Sequence, residues 1–376
     1  MKIKTKSIII LCLTALASMP LSAQSYLGSV FEKEDGTWTR AKNISVGENK
    51  VTVTDYDSNS YTITNSHGST ASIKVIDNVL YCANDESLTS DLVKTASKTG
   101  CLTLAGTLNN TNWALLNGGK LNGITSVRFH KVTGDDAFTA LSNLKCSTLS
   151  SVTFEDCSFP NVTSLEGLYY YSQITSFTFG GMELSSSGLI SLKDMFNTCT
   201  NLESVSLAGM NTSNVTTTEN MFSHCNSLQN IDWSNITLSS KNCRHMFQTC
   251  SSLQTIDLSH CNFTGVTDCG YMFSQCSSLT TIDLSTCKLK CGSTPNLEYM
   301  FKECTSLETV DFSGCDLSNA YRNEYMFQDC NALKTIKAVG CNETTITKLK
   351  EAKEYYSYLS GVTIVTSDTP SEATPE

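Results

Sequence analysis

Basic charge is scarce in this chain. Its 26 Lys and Arg stand against 36 Asp and Glu, a formal net charge of −10. A nucleic-acid binder carries a basic patch, so nucleic acid is not an expected partner. Charged residues of both signs make up only 16%, below the ~25% of an ordinary domain. Histidine is rarer still: five occur, and none recurs at a fixed interval. There is no G-x-S-x-G, H-E-x-x-H, P-loop or dinucleotide fingerprint, so no catalytic residues are nominated and no enzyme is expected. No two cysteines stand as C-x-x-C, the pairing structural zinc favours, so neither a metal nor any other cofactor is expected. After residue 23 no run is apolar enough to cross a bilayer.

What the chain has in abundance is repetition. A Met-Phe pair opens at Met195, Met221, Met246, Met272, Met300 and Met326, in steps of 26, 25, 26, 28 and 26 residues. A cysteine follows each pair at one offset: Cys199, Cys225, Cys250, Cys276, Cys304 and Cys330. A leucine then opens a second phrase. Leu253, Ile256, Leu258, Cys261 and Phe263 spell L-x-x-L-x-L-x-x-C-x-L, and Leu279 and Leu307 open the same spelling. Leu202 and Leu228 open versions with Met210 and Ile236 in the cysteine slot. Apolar residues at positions 4 and 6 predict a short strand with one buried face. The frame extends back through Ile174, Leu149 and Ile124 and forward through Leu333 and Leu359, ten rungs in all. A period in this range means stacked supersecondary units.

These residues resemble the BspA-like leucine-rich-repeat surface proteins and the related bacterial surface-protein repeat of about 26 residues. The resemblance covers roughly residues 100–366. It implies an exported bacterial protein, at the cell surface or released, that binds host or bacterial macromolecules. The family shares no catalytic residues, so none is carried over. The chain shows weak repeats before 195 and no cell-wall anchor motif.

The expected fold is an α/β leucine-rich-repeat solenoid, with one short parallel strand plus a helix or turn per rung of 25–28 residues. A small β-rich module precedes it. Residues 1–23 read as a signal peptide, with Lys2, Lys4 and Lys6 before an apolar run from Ile8 to Ala17 and Gln24 as the new N-terminus. Its removal takes the charge from −10 to −13. Residues 24–90 form the β-rich module, where Val51–Thr54 and Tyr61–Thr64 alternate around a turn signal. Asp55, Asp57 and Asn59 start like a calcium loop, but Ser60 and Ser66 stand where Gly and Glu are needed, so a plain turn is expected. Residues 91–123 read as an N-terminal cap, 124–345 as the repeats and 346–366 as a C-terminal cap. In that last cap Ile346, Leu349, Ala352 and Tyr356 share one helical face. Residues 367–376 read as a disordered tail.

Between the buried strand positions, the side chains point out from the expected concave sheet. Position 3 carries Asn230, Thr255, Thr281 and Thr309; position 5 carries Asp232, Asp257, Asp283 and Asp311. Four like charges about 4.8 Å apart repel by about 1 kcal/mol per neighbour even in water. Thr or Ser there would make a better strand, so the fold gains nothing evident from them. They are the candidate binding residues for a basic or hydroxyl-rich partner, weighed against a merely solvated face. Calcium between the carboxylates finds no loop to complete its ligand set.

Cysteines number 18, or 17 without Cys12 of the signal. They fall in columns, and a residue that repeats with the fold serves the fold, so most are expected as buried free thiols. Disulfides between stacked columns are the rival in an exported protein.

The functional expectation is a protein partner, host or bacterial, bound by the concave sheet. The place is the cell surface, the medium or the periplasm, with no membrane span once the signal is removed. The alternative is a glycan-binding accessory protein at the cell surface. Positions 3 and 5 offer a sugar no aromatic platform, which weakens that alternative.

Overall fold

Two apolar residues one apart, at positions 4 and 6, let three residues extend and pair with the same three in the next rung. The computed structural model describes residues 30–32, 38–47, 50–55, 60–64, 79–83, 100–107, 123–133, 148–155, 157–180, 182–184, 189–234, 236–287 and 289–367. Of these, the strands before 100 and residues 101, 103–107, 130–133, 155 and 293–294 are described as backbone only. The expected signal peptide, the cap residues 112–121 and the tail from 368 lie outside the described residues.

The chain forms two compact units, Met1–Asn161 with Gly180–Glu183, and Val162–Phe179 with Leu184–Glu376. The first contains β1 (Val30–Glu32), β2 (Trp38–Gly47), β3 (Lys50–Asp55) and β4 (Ser60–Thr64), which pair antiparallel in that order. Val53 faces Tyr61 and Thr54 faces Ser60, so the two alternating runs do form a hairpin, with Asp55 ending one strand and Ser60 opening the next. Then β5 (Val79–Ala83), β6 (Cys101–Thr107), β7 (Ser126–Thr133) and β8 (Ser151–Glu155) pair in parallel. Val79 aligns with Leu102, Leu102 with Val127, and Val127 with Val152. The parallel ladder thus starts ahead of Ile124, the first clear frame in the sequence, because main-chain pairing does not require the leucine phrase. Phe129 and Phe154 stack at 4.7 Å in the core of this unit.

The second unit is a parallel β-solenoid of eight turns, opening at Ile174, Leu202, Leu228, Leu253, Leu279, Leu307, Leu333 and Leu359, all buried. Its main strands are β9 (Ser176–Thr178), β10 (Ser204–Ser206) and β11 (Asn230–Asp232). Short pieces follow at a second corner: β12 (Leu238–Ser239), β13 (Cys261–Asn262), β14 (Thr264–Asp268) and, later, β16 (Lys290–Asn296). The main strands resume with β15 (Thr281–Asp283), β17 (Thr309–Asp311), β18 (Thr335–Lys337) and β19 (Thr363–Val365). Pairing is in register: Val205 with Ile231, Ile282 with Val310, Val310 with Ile336, Ile336 with Ile364. The sheet is not one unbroken ladder as expected. Thr255–Asp257 takes no strand conformation, and Ile256 is half-exposed. The break follows the rung whose position 6 is Trp233, a larger ring than the Leu or Phe that neighbouring rungs place there.

The return segments from Met195 to Leu333 are turns, and a helix takes their place after Leu333. Among the described residues one α-helix occurs, α1 (Glu343–Glu354). In the Met-Phe turns alternate amides serve different partners. Met195, Asn197 and Cys199 donate to carbonyls three residues back, at Leu192, Asp194 and Phe196. Asp194, Phe196 and Thr198 donate to Glu219, Met221 and Ser223 of the next rung. An α-helix would send every amide back into itself and leave the neighbouring rung unpaired. The alternation demands left-handed backbone at two places per turn, the residue before Met and the residue before Cys. Asp194, Asn220, His245, Tyr271 and Tyr299 hold the first at φ 55–59°. Thr198, His224, Thr249, Gln275, Glu303 and Asp329 hold the second at φ 60–64°. These residues carry Cβ atoms there at a steric cost, and two ladders of inter-rung bonds offset it.

The Met-Phe flank also carries the core. Phe196, Phe222, Phe247, Phe273, Phe301 and Phe327 are fully buried and stack in one column with centroids 5.3–5.8 Å apart. Each stacked pair contributes about 0.5–1.5 kcal/mol beyond the burial itself. Beside them runs a thiol ladder. Cys225, Cys250, Cys276, Cys304 and Cys330 donate through Sγ to the carbonyls of Phe196, Phe222, Phe247, Phe273 and Phe301 at 3.0–3.2 Å. Each of those carbonyls also accepts an amide of its own turn, so the thiol fills the second lone pair. All 14 cysteines whose side chains are described are free, and 13 of them are buried.

The helix α1 begins where Asn342 accepts the Thr345 amide at 2.8 Å, a side-chain N-cap. It buries Thr345, Ile346, Leu349 and Ala352; Tyr356 lies just beyond its end and is half-buried. Thr345 Oγ1 accepts the Leu317 amide, tying the helix to the rung below.

Candidate binding surface

Strand positions 3 and 5 build one polar face of the solenoid. Asn230, Asp232, Thr255, Asp257, Thr281 and Asp283 are exposed; Thr309 and Asp311 are half-exposed. Asn230 with Asp232, Thr281 with Asp283 and Thr309 with Asp311 sit in β11, β15 and β17, whereas Thr255 and Asp257 lie in the interrupted rung. Thr281 pairs with Thr309 and Asp283 with Asp311, so the hydroxyl and carboxylate columns are parallel and one rung apart.

The aspartates have a structural task that the strand pattern concealed. Oδ1 of Asp232, Asp257, Asp283 and Asp311 accepts the amide two residues on, at Ser234, Ser259, Ser285 and Ser313, at 2.8–2.9 Å. These are Asx turns, which bend the chain off the strand. The expectation that the fold gains nothing from the column is therefore corrected. The bond to the Ser234 amide holds the Asp232 carboxyl below the usual range, and the Ser259 amide does the same for Asp257. Burial pushes Asp311 up, but bonds from Ser313 and the charge of Lys337, 3.4 Å away, outweigh it and leave it lowered. Ser206 Oγ donates to Asp232 Oδ2 at 2.8 Å. With one oxygen engaged in each turn, the second is taken by Ser206 at Asp232 and by Lys337 at Asp311.

A second polar column, unforeseen, lies four residues before the first five Met of the Met-Phe pairs. Ser191, Thr217, Asn242, Asp268 and Asn296 each accept the amide two residues on, at 2.8–3.2 Å. They also form β-bridges from rung to rung, Ser191 to Thr217, Thr217 to Asn242 and Asn242 to Asp268. The residue just before Met makes a third column, of aromatic rings: His245, Tyr271, Tyr299 and Tyr325, with centroids 4.8–5.1 Å apart. Arg244 lies over Tyr271 and Lys302 over Tyr299. The signal was in the sequence, as His or Tyr before Met-Phe in four consecutive copies. Among the described residues no group of three or more His, Cys, Asp or Glu side chains is placed to hold a metal ion, and no helix is long and apolar enough to cross a membrane.

A family model described as "Mycoplasma protein of unknown function, DUF285" matches residues 142–281 and 241–354, more than half of the chain. The chain belongs to this family. The two overlapping matches on a DUF285 chain follow from its periodicity: shifting by whole rungs superposes like on like. No curated protein matches the chain. A solved structure, titled as that of the Toll–Spatzle complex, a molecular hub in Drosophila development and innate immunity, aligns at 11% identity and a TM-score of 0.31. That alignment covers 80% of the DUF285 chain and 35% of the other, so the chain spans about a third of the length of the protein it is laid upon. A score of that size carries no argument about this protein.

Proposed function

We propose that this DUF285 protein is an exported repeat protein of the leucine-rich, BspA-like kind that binds a protein partner, host or bacterial, through its strand face. It acts at the cell surface, in the medium or in the periplasm. The observation that carries the reading is the pair of exposed columns, Asn230, Thr255, Thr281 and Thr309 beside Asp232, Asp257, Asp283 and Asp311. The rungs of β11, β15 and β17, with the irregular Thr255–Asp257 rung between them, offer amide, hydroxyl and carboxylate groups, a surface suited to an extended basic or hydroxyl-rich partner. The solenoid supplies rigidity, so little ordering cost falls on this side of the complex.

The test is a binding screen of the purified protein against immobilised host matrix proteins and bacterial surface proteins at low and high salt. The reading predicts at least one partner whose affinity falls as salt rises. A panel without a hit, or a hit indifferent to salt, overturns it.

A further inference from the structure

The repeat breaks once on the Met-Phe flank, and a cavity lies at the break. In five rungs the residue before Met is left-handed; in the rung of Met326 that residue, Tyr325, is not, and Arg322 is, at φ 56°. Arg322 occupies the slot where Ser191, Thr217, Asn242, Asp268 and Asn296 cap the turn, and it has no acceptor with which to do so. The adjacent Asn323 is buried and donates to the Lys348 carbonyl of α1. Tyr321 is thereby left 59% exposed, with the Arg322 guanidinium 5.4 Å from its ring centre. A backbone departure from an otherwise regular repeat, held by specific contacts, is where a site is to be looked for.

The cavity there measures about 670 Å³, within the roughly 300–1,000 Å³ of small-molecule sites. Tyr299, Tyr321 and Tyr325 give it aromatic walls, and Tyr325 is fixed by Tyr355, whose hydroxyl meets its own at 3.2 Å. Carboxylates come from Glu298, Glu324 and Glu351, and cations from Arg322 and Lys348. Arg322 is already paired with Glu298 at 3.2 Å. The balance of charge disfavours an anionic ligand. Ala320 is the one aliphatic side chain of the lining, which disfavours an apolar ligand. Carboxylates accept from hydroxyls, and ammonium and guanidinium groups donate to them; Tyr299 and Tyr325 are stacked on one another, so the exposed Tyr321 is the ring that takes the C–H face of a pyranose.

We propose that this pocket is a saccharide-binding site for a neutral sugar unit. It is separate from the strand face and stands or falls without it. The test uses the purified full chain against a panel of neutral oligosaccharides, with sulfated glycans and lysine-rich peptides alongside. The expected result is binding of a neutral saccharide, weakened about tenfold or more by Tyr321→Ala, a loss of one good contact. Tyr321 is exposed, so the variant's melting curve should match that of the parent. Saturation-transfer NMR on the unsubstituted protein, reading tyrosine ring protons on the sugar, gives a second readout that needs no variant. No neutral binder, a neutral binder indifferent to Tyr321→Ala, or binding of only the sulfated glycans or the peptides would overturn the proposal.

Discussion

Two faces of the same rungs obey different rules. The Met-Phe flank repeats almost without variation: Phe stacked on Phe, a thiol on each Phe carbonyl from Phe196 to Phe301, left-handed residues at fixed places. The strand face is three residues wide, loses its strand at Thr255–Asp257, and varies its outward residues among Asn, Thr, Ser, Asp and Lys. The difference separates stability from recognition. Apolar burial, ring stacking and inter-rung bonds gather on the flank, so the strand face is free to change without unfolding the protein.

Four measurements press on that contrast, from the largest effect down. The first is pH. Burial pushes the Cys276 and Cys330 thiols up to about 12 from an ordinary value near 9, and raises Cys225, Cys250 and Cys304 as well. The unfolded chain releases these protons first. The contribution is whole below pH 9 and is lost as pH rises towards 12, by about 1.4 kcal/mol per pH unit for each thiol. Urea midpoints under reductant should fall steeply above pH 9; a flat profile would remove the thiol ladder from the account. Next, Phe247→Ala opens the middle of the stack and should cost about 3–5 kcal/mol in equilibrium unfolding.

Third, Cys250→Ala deletes the donor to the Phe222 carbonyl and should cost about 1–2 kcal/mol, with Cys250→Ser recovering part of it. Equal losses for Ala and Ser would mean that the cysteine acts by volume alone. Smallest is Asp283→Ala, which frees the Ser285 amide in solvent and should cost about 0.5–1 kcal/mol. A cost as large as that of Phe247→Ala would erase the distinction between the faces.

Much of this was legible in the chain. The leucine, isoleucine and cysteine spacing predicted the rungs and most of their buried residues, but not the half-exposed Ile231 and Ile256 or the lost strand at Thr255–Asp257. The Met-Phe segment left helix and turn both open, since Leu192, Met195, Phe196, Cys199 and Leu202 also fit a helical face. Which amides turn towards the next rung is a main-chain property, invisible in side-chain hydropathy. The Asx turns were readable and missed: Asp is followed by a Ser two residues on in all four copies. The local bond to that Ser amide, and not the repulsion between like charges, places each carboxylate. The tyrosine pocket needed the structure, because it arises from one residue's change of handedness, from Tyr325 to Arg322.

The decisive measurement replaces Asp232, Asp257, Asp283 and Asp311 together by Asn. Asparagine keeps the side-chain oxygen that closes each turn, removes the charge, and gives up the second oxygen, which accepts from Ser206 at Asp232 and pairs with Lys337 at Asp311. The account predicts an unfolding free energy within about 1 kcal/mol of the parent and loss of the salt-sensitive protein partner. Retained binding would contradict the strand-face assignment, and a large loss of stability would contradict the division between a flank that folds and a face that binds.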